Sequence, residues 1–261
     1  LKAVIFAGGK GERLSYYTES IPKPMIELDG IPIIIRLMNY CSKFDVDEFI
    51  ILGGYKCNYI KKYFWELATF EHDISLELLE SSFSRYYISN EQRRSSILNE
   101  EIKKIHIVDC GVHDQNYTAQ DLLLAEDYIN GGENFLILYG DTLADVNIDE
   151  LKRFHKEYNS FLTVSVTHLR EKNGNVEIEG NNSIRSFLEK GTDYSKHINI
   201  GFIICESSIF SYINHTQHKS LELQTIPELI NKKNVTAYIH SGYYQAFDTL
   251  KDINNFNERF L

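Results

Sequence analysis

Three short apolar runs, each stopped by glycine, constrain what this 261-residue chain can fold into. They are Ala3 to Ala7 before Gly8-Gly9, Glu48 to Leu52 before Gly53-Gly54, and Phe135 to Tyr139 before Gly140-Asp141. Unbroken runs of this length read as strands covered on both faces, the habit of parallel sheets. After the first, Ile33, Ile34, Leu37, Met38, Cys41 and Phe44 recur at helical spacing, and after the second Ile60, Phe64 and Leu67 do the same. Strand, glycine loop and helix, repeated, open a doubly wound sheet whose ligand crevice lies beyond the carboxyl ends of its strands.

The remaining elements follow less regularly. Ile74 to Leu79 and Ile105 to Val108 read as strands, and Thr118 as a helix cap with Asp121 in the first turn. The polar, aromatic stretch Ser81 to Asn99, with Arg85, Tyr86, Tyr87, Arg93 and Arg94, shows no sustained period; it reads as an excursion used for subunit contact or mobile in the monomer, and the acidic surroundings argue against the alternative of a nucleic-acid-binding arm. A helix over Ile148 to Tyr158 and a strand over Phe161 to Thr167 come next. The later part is less regular still, with a hairpin (Asn173 to Ile178 with Ser183 to Leu188), strands at Ile198 to Cys205 and Val235 to His240, and a last helix from Thr249. The expectation is one domain of two lobes, 1–145 carrying the glycine loops and 146–261 suited to covering a second bound substrate.

Composition excludes several classes. Apolar residues make up 43% of the chain, ample for a core, yet no run reaches the length of a membrane span and no charged-then-apolar leader precedes the first strand. A soluble, cytoplasmic protein is expected. Cys41, Cys57, Cys110 and Cys205 are scattered without C-x-x-C spacing, which argues against zinc and against a disulfide framework. A net charge of −10 repels nucleic acid, but a small polyphosphate needs only a local basic pocket.

That pocket is offered by the first glycine loop, Gly8-Gly9-Lys10-Gly11-Glu12-Arg13, continued by Pro22-Lys23-Pro24. Glycine lets a backbone approach phosphates without a Cβ in the way, and the two prolines keep the chain from entering a helix. The dinucleotide fingerprint fails because Leu14 stands where its last glycine belongs, and the P-loop fails because Glu12 follows Gly11. Asp141 and Asp248 both fall at predicted strand ends, where hard carboxylate oxygens beside phosphates suit magnesium. The pattern GGKGERL followed by PKP resembles the signature of enzymes that transfer a nucleotidyl group to a sugar phosphate, chemistry that is mostly positioning and charge stabilisation, and that resemblance implies Arg13 on the leaving pyrophosphate, Lys23 on the α-phosphate and Lys190 on the phosphate of the incoming sugar.

The combination GGKGERL and PKP resembles the signature of the sugar-1-phosphate nucleotidylyltransferase family. Within it the chain is most similar to the glucose-1-phosphate cytidylyltransferases, from KAVIFAGGKGERLS through YGDTLADVNI, IRSFLEK and INIGF to GYYQAFDTLKD. The resemblance implies a Rossmann-like, glycosyltransferase-A-type α/β fold with a doubly wound mixed sheet. It also implies CTP and a sugar phosphate as substrates, Mg2+ as cofactor and a homo-oligomer in the supply of activated sugars. It places nucleotide contacts at Ala7, Gly8, Gly9, Gly11, Arg13, Lys23, Gly111, Thr118, Ala119, Gln120 and Asp141. Acceptor contacts fall at Tyr139, Glu189, Lys190 and Asn199, and metal ligands at Asp141 and Asp248. Three departures stand out. The family's T-G-G-R is Thr118-Ala119-Gln120-Asp121, which bears on base choice; E-K-P is Glu189-Lys190-Gly191; and I-N-G-G is Ile198-Asn199-Ile200-Gly201, where Ile200 is expected to add bulk beside the sugar and disfavour glucose 1-phosphate. The alternatives are the same chemistry with another triphosphate or a non-glucose acceptor, and a nucleotide-binding module without turnover.

Overall fold

The computed structural model describes residues 1–14, 18–69, 74–79, 82–88, 97–114, 116–129, 131–168, 175–178, 183–188 and 197–259. Seven strands form its central sheet: β1 (Lys2–Ala7), β2 (Glu48–Gly53), β3 (Lys104–Asp109), β4 (Asn134–Tyr139), β6 (Leu162–His168), β7 (His197–Glu206) and β8 (Val235–Ile239). Their spatial order is β8-β6-β7-β4-β1-β2-β3. Neighbours are parallel except that β7 runs antiparallel to both β4 and β6, so the sheet is mixed, as expected. The chain winds outward from β1 to β3 and then returns to β4 on the other side of β1. That reversal puts the crevice at the carboxyl ends of β1 and β4.

Both sheet faces are buried, which is why the strands read as unbroken apolar runs. Ala3, Ile5, Phe49, Ile51, Leu136 and Leu138 pack with helix α1 (Ile33–Cys41) on one face. Val4, Ile50, Leu52, Phe135 and Ile137 pack on the other with α3 (Thr118–Leu123) and α5 (Ile209–Thr216). The remaining helices are α2 (Cys57–Thr69), α4 (Ile148–Glu157), α6 (Ile226–Lys232) and α7 (Leu250–Arg259).

Two features depart from the sequence reading. Ser82–Ile88 is a strand paired antiparallel with Ile74–Leu79, inside the stretch read as irregular; 89–96 lie outside the described residues. A two-stranded ribbon also joins β5 (Thr142–Ala144) to β9 (Tyr244–Ala246), three-residue strands whose pairing no periodicity announces. All four cysteines are free, as expected. Among the described residues no helix is long and apolar enough to cross a membrane.

His155 on α4 is buried, with Nδ1 2.8 Å from Thr163 Oγ1, and burial lowers its pKa from the ordinary 6.5. The unfolded chain therefore takes up a proton that the folded chain resists, so stability is present above pH 6.5 and lost as pH falls toward the folded value. Thermal unfolding from about pH 7.5 to about pH 5 is expected to show a larger loss of midpoint for the parent chain than for His155→Gln. Equal losses would assign the acid sensitivity to other groups.

Candidate active site

A cleft of about 590 Å³ opens at the carboxyl ends of β1 and β4. Three glycine loops build its floor. The Cβ that Gly54 lacks would lie 2.7 Å from the Gly111 carbonyl oxygen and 3.0 Å from Gly8 Cα, so the ends of β1, β2 and β3 meet backbone to backbone only because it is glycine. Tyr55 N–H donates to Gly8 O (3.1 Å) and Cys110 N–H to Gly53 O (2.7 Å), tying the three together. Gly11 has φ +62°, and a Cβ there would meet Thr18 Cγ2 at 2.9 Å and Lys23 Cβ at 3.2 Å.

That packing bears on Lys23. Flanked by prolines in the short 3-10 turn Lys23–Met25, it is 8% exposed, and its Nζ donates to Asp141 Oδ2 at 2.6 Å and to Asp248 Oδ1 at 2.7 Å. Burial works against its charge, but the two carboxylates outweigh burial and hold its pKa above the usual lysine value. Arg13, largely exposed at the rim, approaches Asp248 Oδ2 at 3.6 Å.

The carboxylates come from opposite ends of the chain. Asp141 follows β4 through Gly140, whose N–H donates to Phe6 O at 2.9 Å. Asp248 is carried in by the β5–β9 ribbon, where Ala246 pairs with Thr142 and Phe247 N–H donates to Asp141 O at 3.1 Å. A capping box then fixes the turn: Asp252 Oδ2 accepts from Thr249 N–H (2.8 Å) and Asp248 N–H (3.2 Å), and Thr249 Oγ1 accepts from Asp252 N–H (3.3 Å). Phe247, Ile253 and Phe256 anchor the segment against Leu14, Ile26 and Ile33.

Of the residues expected here, Ala7, Gly8, Gly9, Gly11, Arg13, Lys23, Gly111, Thr118, Tyr139, Asp141 and Asp248 line the cleft. Ala119 and Gln120 do not. Helix α3 begins at Thr118, so successive residues point about 100° apart around it. Thr118 and Asp121 face the cleft, whereas Ala119 is fully buried in the core behind and Gln120 Nε2 donates to His218 O at 2.6 Å. Thr118 is not a cap either: Tyr117 holds that place, and Thr118 Oγ1 donates to Glu222 Oε2 at 2.6 Å. Asn199 does not line the cleft either; it sits behind Tyr139, its Nδ2 donating to Tyr139 Oη at 3.3 Å. Ile200, expected beside the sugar, is instead fully buried among Phe202, Ile204 and the α1 residues, because alternation along β7 sends Asn199 and Ile200 to opposite faces. Its side chain thus lies away from the cleft rather than in it. Glu189 and Lys190 lie outside the described residues.

The cleft also holds His113 and Tyr117, which the sequence did not mark, beside Asp121, which it did. His113 stacks on Tyr117 with centroids 4.6 Å apart, and His113 Nε2 lies 3.1 Å from Asp121 Oδ1. Burial raises the Asp121 pKa, with His113 opposing it. No spacing rule singles out histidine in an irregular loop, so their meeting is a product of the fold.

Among the described residues no group of three or more histidine, cysteine or acidic side chains forms a cation cage. Asp141 and Asp248 nonetheless converge on one ammonium and offer hard oxygens only. Two carboxylates completed by substrate phosphates are a donor set that fits magnesium.

Comparison with known proteins accords with this geometry. A model of the nucleotidyl transferase family matches residues 2–253. The chain is 31% identical over 258 residues to a probable glucose-1-phosphate cytidylyltransferase of Bacillus subtilis (strain 168), covering 99% of this chain and 95% of the relative. It is 32% identical over 252 residues to the glucose-1-phosphate cytidylyltransferase of Salmonella typhimurium, covering 97% and 93%. In fold it is similar to HddC from Yersinia pseudotuberculosis (TM-score 0.68, 22% identity, 100% and 99% covered) and to a UDP-glucose pyrophosphorylase complexed with UDP-glucose (TM-score 0.68, 17% identity, 99% and 97% covered). Alike in sequence over nearly its whole length and alike in fold, this chain belongs to the nucleotidyl transferase family and is an enzyme of that kind.

Proposed function

We propose that the enzyme joins CTP and a sugar 1-phosphate into a CDP-sugar and pyrophosphate. The observation that carries this reading is Lys23 holding Asp141 and Asp248 together in the cleft at the switch point of the sheet. A phosphate oxygen of the acceptor bonds to the α-phosphorus in line as the α–β anhydride breaks and pyrophosphate leaves. Such a step asks the protein for positioning and for cations where charge develops. In this reading Lys23 meets the α-phosphate and Arg13 the departing pyrophosphate, while Asn199, Tyr139, Glu189 and Lys190 serve the acceptor. Magnesium held by Asp141 and Asp248 would neutralise phosphate charge there. The names of the relatives support CTP and glucose 1-phosphate as first candidates. A homo-oligomer working in the cytoplasm completes the proposal.

A second reading keeps the chemistry and changes the triphosphate. It is favoured by Asp121, a half-buried carboxylate lining the cleft at the position of a family arginine. One experiment decides between the two: pyrophosphate release with magnesium, each of the four nucleoside triphosphates crossed with a panel of hexose 1-phosphates. Release with CTP and glucose 1-phosphate is expected. Release with another triphosphate selects the second reading, and no release with any pair refutes both.

A further inference from the structure

Glu222 sits in the π-helical turn Leu221–Thr225, behind the cleft wall rather than on it. Four side chains donate to its carboxylate. Oε1 accepts from Tyr139 Oη at 2.7 Å, and Oε2 accepts from Thr118 Oγ1 at 2.6 Å, Asn116 Nδ2 at 3.2 Å and Ser220 Oγ at 3.3 Å. A lone glutamate in a helical stretch reads as solvated, so nothing in the sequence marks it.

The directions of these bonds are determined. A carboxylate only accepts, and a hydroxyl has one proton to give. Thr118 Oγ1 gives its proton to Glu222 and accepts from Leu221 N–H at 2.9 Å. Tyr139 Oη gives its proton to Glu222 and accepts from Asn199 Nδ2, whose amide is oriented by Gly201 N–H donating to Asn199 Oδ1 at 2.9 Å. Each hydroxyl keeps one free lone pair and no free proton. Both line the cleft, so both meet a ligand as acceptors. Gly201 secures the arrangement: at φ +77° it leaves room for the Tyr139 ring, whose Cδ2 would lie 2.8 Å from a Cβ there. The cleft's cations, Lys23 and Arg13, gather instead with Asp141 and Asp248 beside the glycine loop.

We propose that Glu222 sets the hydrogen-bond polarity of the cleft wall, so that Thr118 and Tyr139 select ligand groups that donate, namely hydroxyl or amino groups, and turn phosphate oxygens toward the cationic side. Glu222 is thus a positioning residue that acts through two side chains it orients. This rests on the nucleotidyl-transfer reading above, and the ligand hydroxyl belongs to the acceptor sugar or to the ribose.

Fluorine replaces a hydroxyl at similar size but cannot donate, so it tests donation directly. The probes are glucose 1-phosphate with its 2-, 3-, 4- and 6-deoxyfluoro analogues, and CTP with its 2′-deoxy-2′-fluoro analogue. In the parent enzyme at least one analogue is expected to lose about tenfold in kcat/KM, the worth of one hydrogen bond. Glu222→Gln presents an amide N–H to one of the two hydroxyls and reverses it, so the ratio of parent compound to that analogue is expected to shrink to within about threefold. Which analogue responds separates acceptor from ribose. A residue that only packs would lower both compounds alike and leave the ratio unchanged, which overturns the proposal; so does a parent enzyme that treats every analogue like its hydroxyl compound. Should Glu222→Gln fail to fold, Tyr139→Phe is expected to abolish the acceptor ratio, and a retained ratio in it and in Thr118→Val overturns the assignment. If no pair is turned over, the transfer reading has failed, and the same ratios taken from dissociation constants by calorimetry still decide the wall: equal ratios, or no binding of any probe, overturn it.

Discussion

Replacing Lys23 with alanine is expected to lower kcat/KM by about 10³-fold, the usual cost of removing a preorganised group aimed at developing charge. The substitution acts twice. It removes a buried cation from the place assigned to the α-phosphate, and it leaves Asp141 and Asp248 facing each other without the ammonium that now lies between them. Their repulsion is expected to loosen the turn that carries Asp248, so nucleotide affinity should fall together with kcat. Lys23→Arg keeps the charge but not the compact point donor that fits against Gly11, and is expected to recover only about tenfold of that 10³-fold loss, on the order of one hydrogen bond. The stability that the ion pair contributes is present below pH 10.5 and is lost as pH rises through the higher folded value, so Lys23 stays cationic at ordinary assay pH. A pH–rate profile of the parent enzyme should carry no limb from it. Steady-state kinetics with dissociation constants for the triphosphate would check these statements, and a Lys23→Ala enzyme within tenfold of the parent would remove Lys23 from the chemistry.

The second large effect is expected at Asp248. Asparagine there keeps the shape of the side chain and leaves the capping box of Thr249 and Asp252 intact, so the thermal midpoint should move little. It removes one of the two charges that make a divalent cation welcome beside phosphates. Turnover is expected to fall about 10²-fold or more at fixed magnesium and to recover partly as magnesium is raised. Calorimetry of triphosphate binding with and without magnesium supplies a readout apart from activity: the parent should bind more tightly with the metal, and Asp248→Asn should lose most of that difference. A variant with unchanged magnesium dependence would place the cation elsewhere.

How legible the site was depends on how each residue reaches it. Lys23 could be found because proline on both sides forbids a helix and leaves a cation stranded near a glycine loop. Asp141 could be found because it ends an apolar run. Asp248 could be read only as a strand-end carboxylate, and its meeting with Asp141 stayed hidden because it depends on two three-residue strands, β5 and β9, too short for any alternation to show. The error at Ala119 and Gln120 has a different origin: a loop of contiguous contacts was carried onto a segment that begins a helix, where neighbours diverge. Ile200 diverges in the same manner on a strand, where alternate residues face opposite sides and it is one that faces the core. Ser82–Ile88 is strand because a partner strand supplies its hydrogen bonds, which its own polar sequence does not require. Glu222 meets Thr118 and Tyr139 from distant segments, invisible to any local window, whereas His113 and Asp121 are close in sequence but joined across an irregular loop that has no period to read.

The ribbon that delivers Asp248 also sets an order of events in the life of the chain. Residues 1–141 contain the glycine loop, both cations and the first carboxylate, yet the second carboxylate is decoded more than a hundred residues later. A growing chain can thus assemble β1 to β4 on the ribosome while Lys23 has only one of its two acidic partners. Competence arrives abruptly, when 244–248 zip against 142–144, and a chain cut between those two segments would be expected to regain function only if the pieces were supplied together.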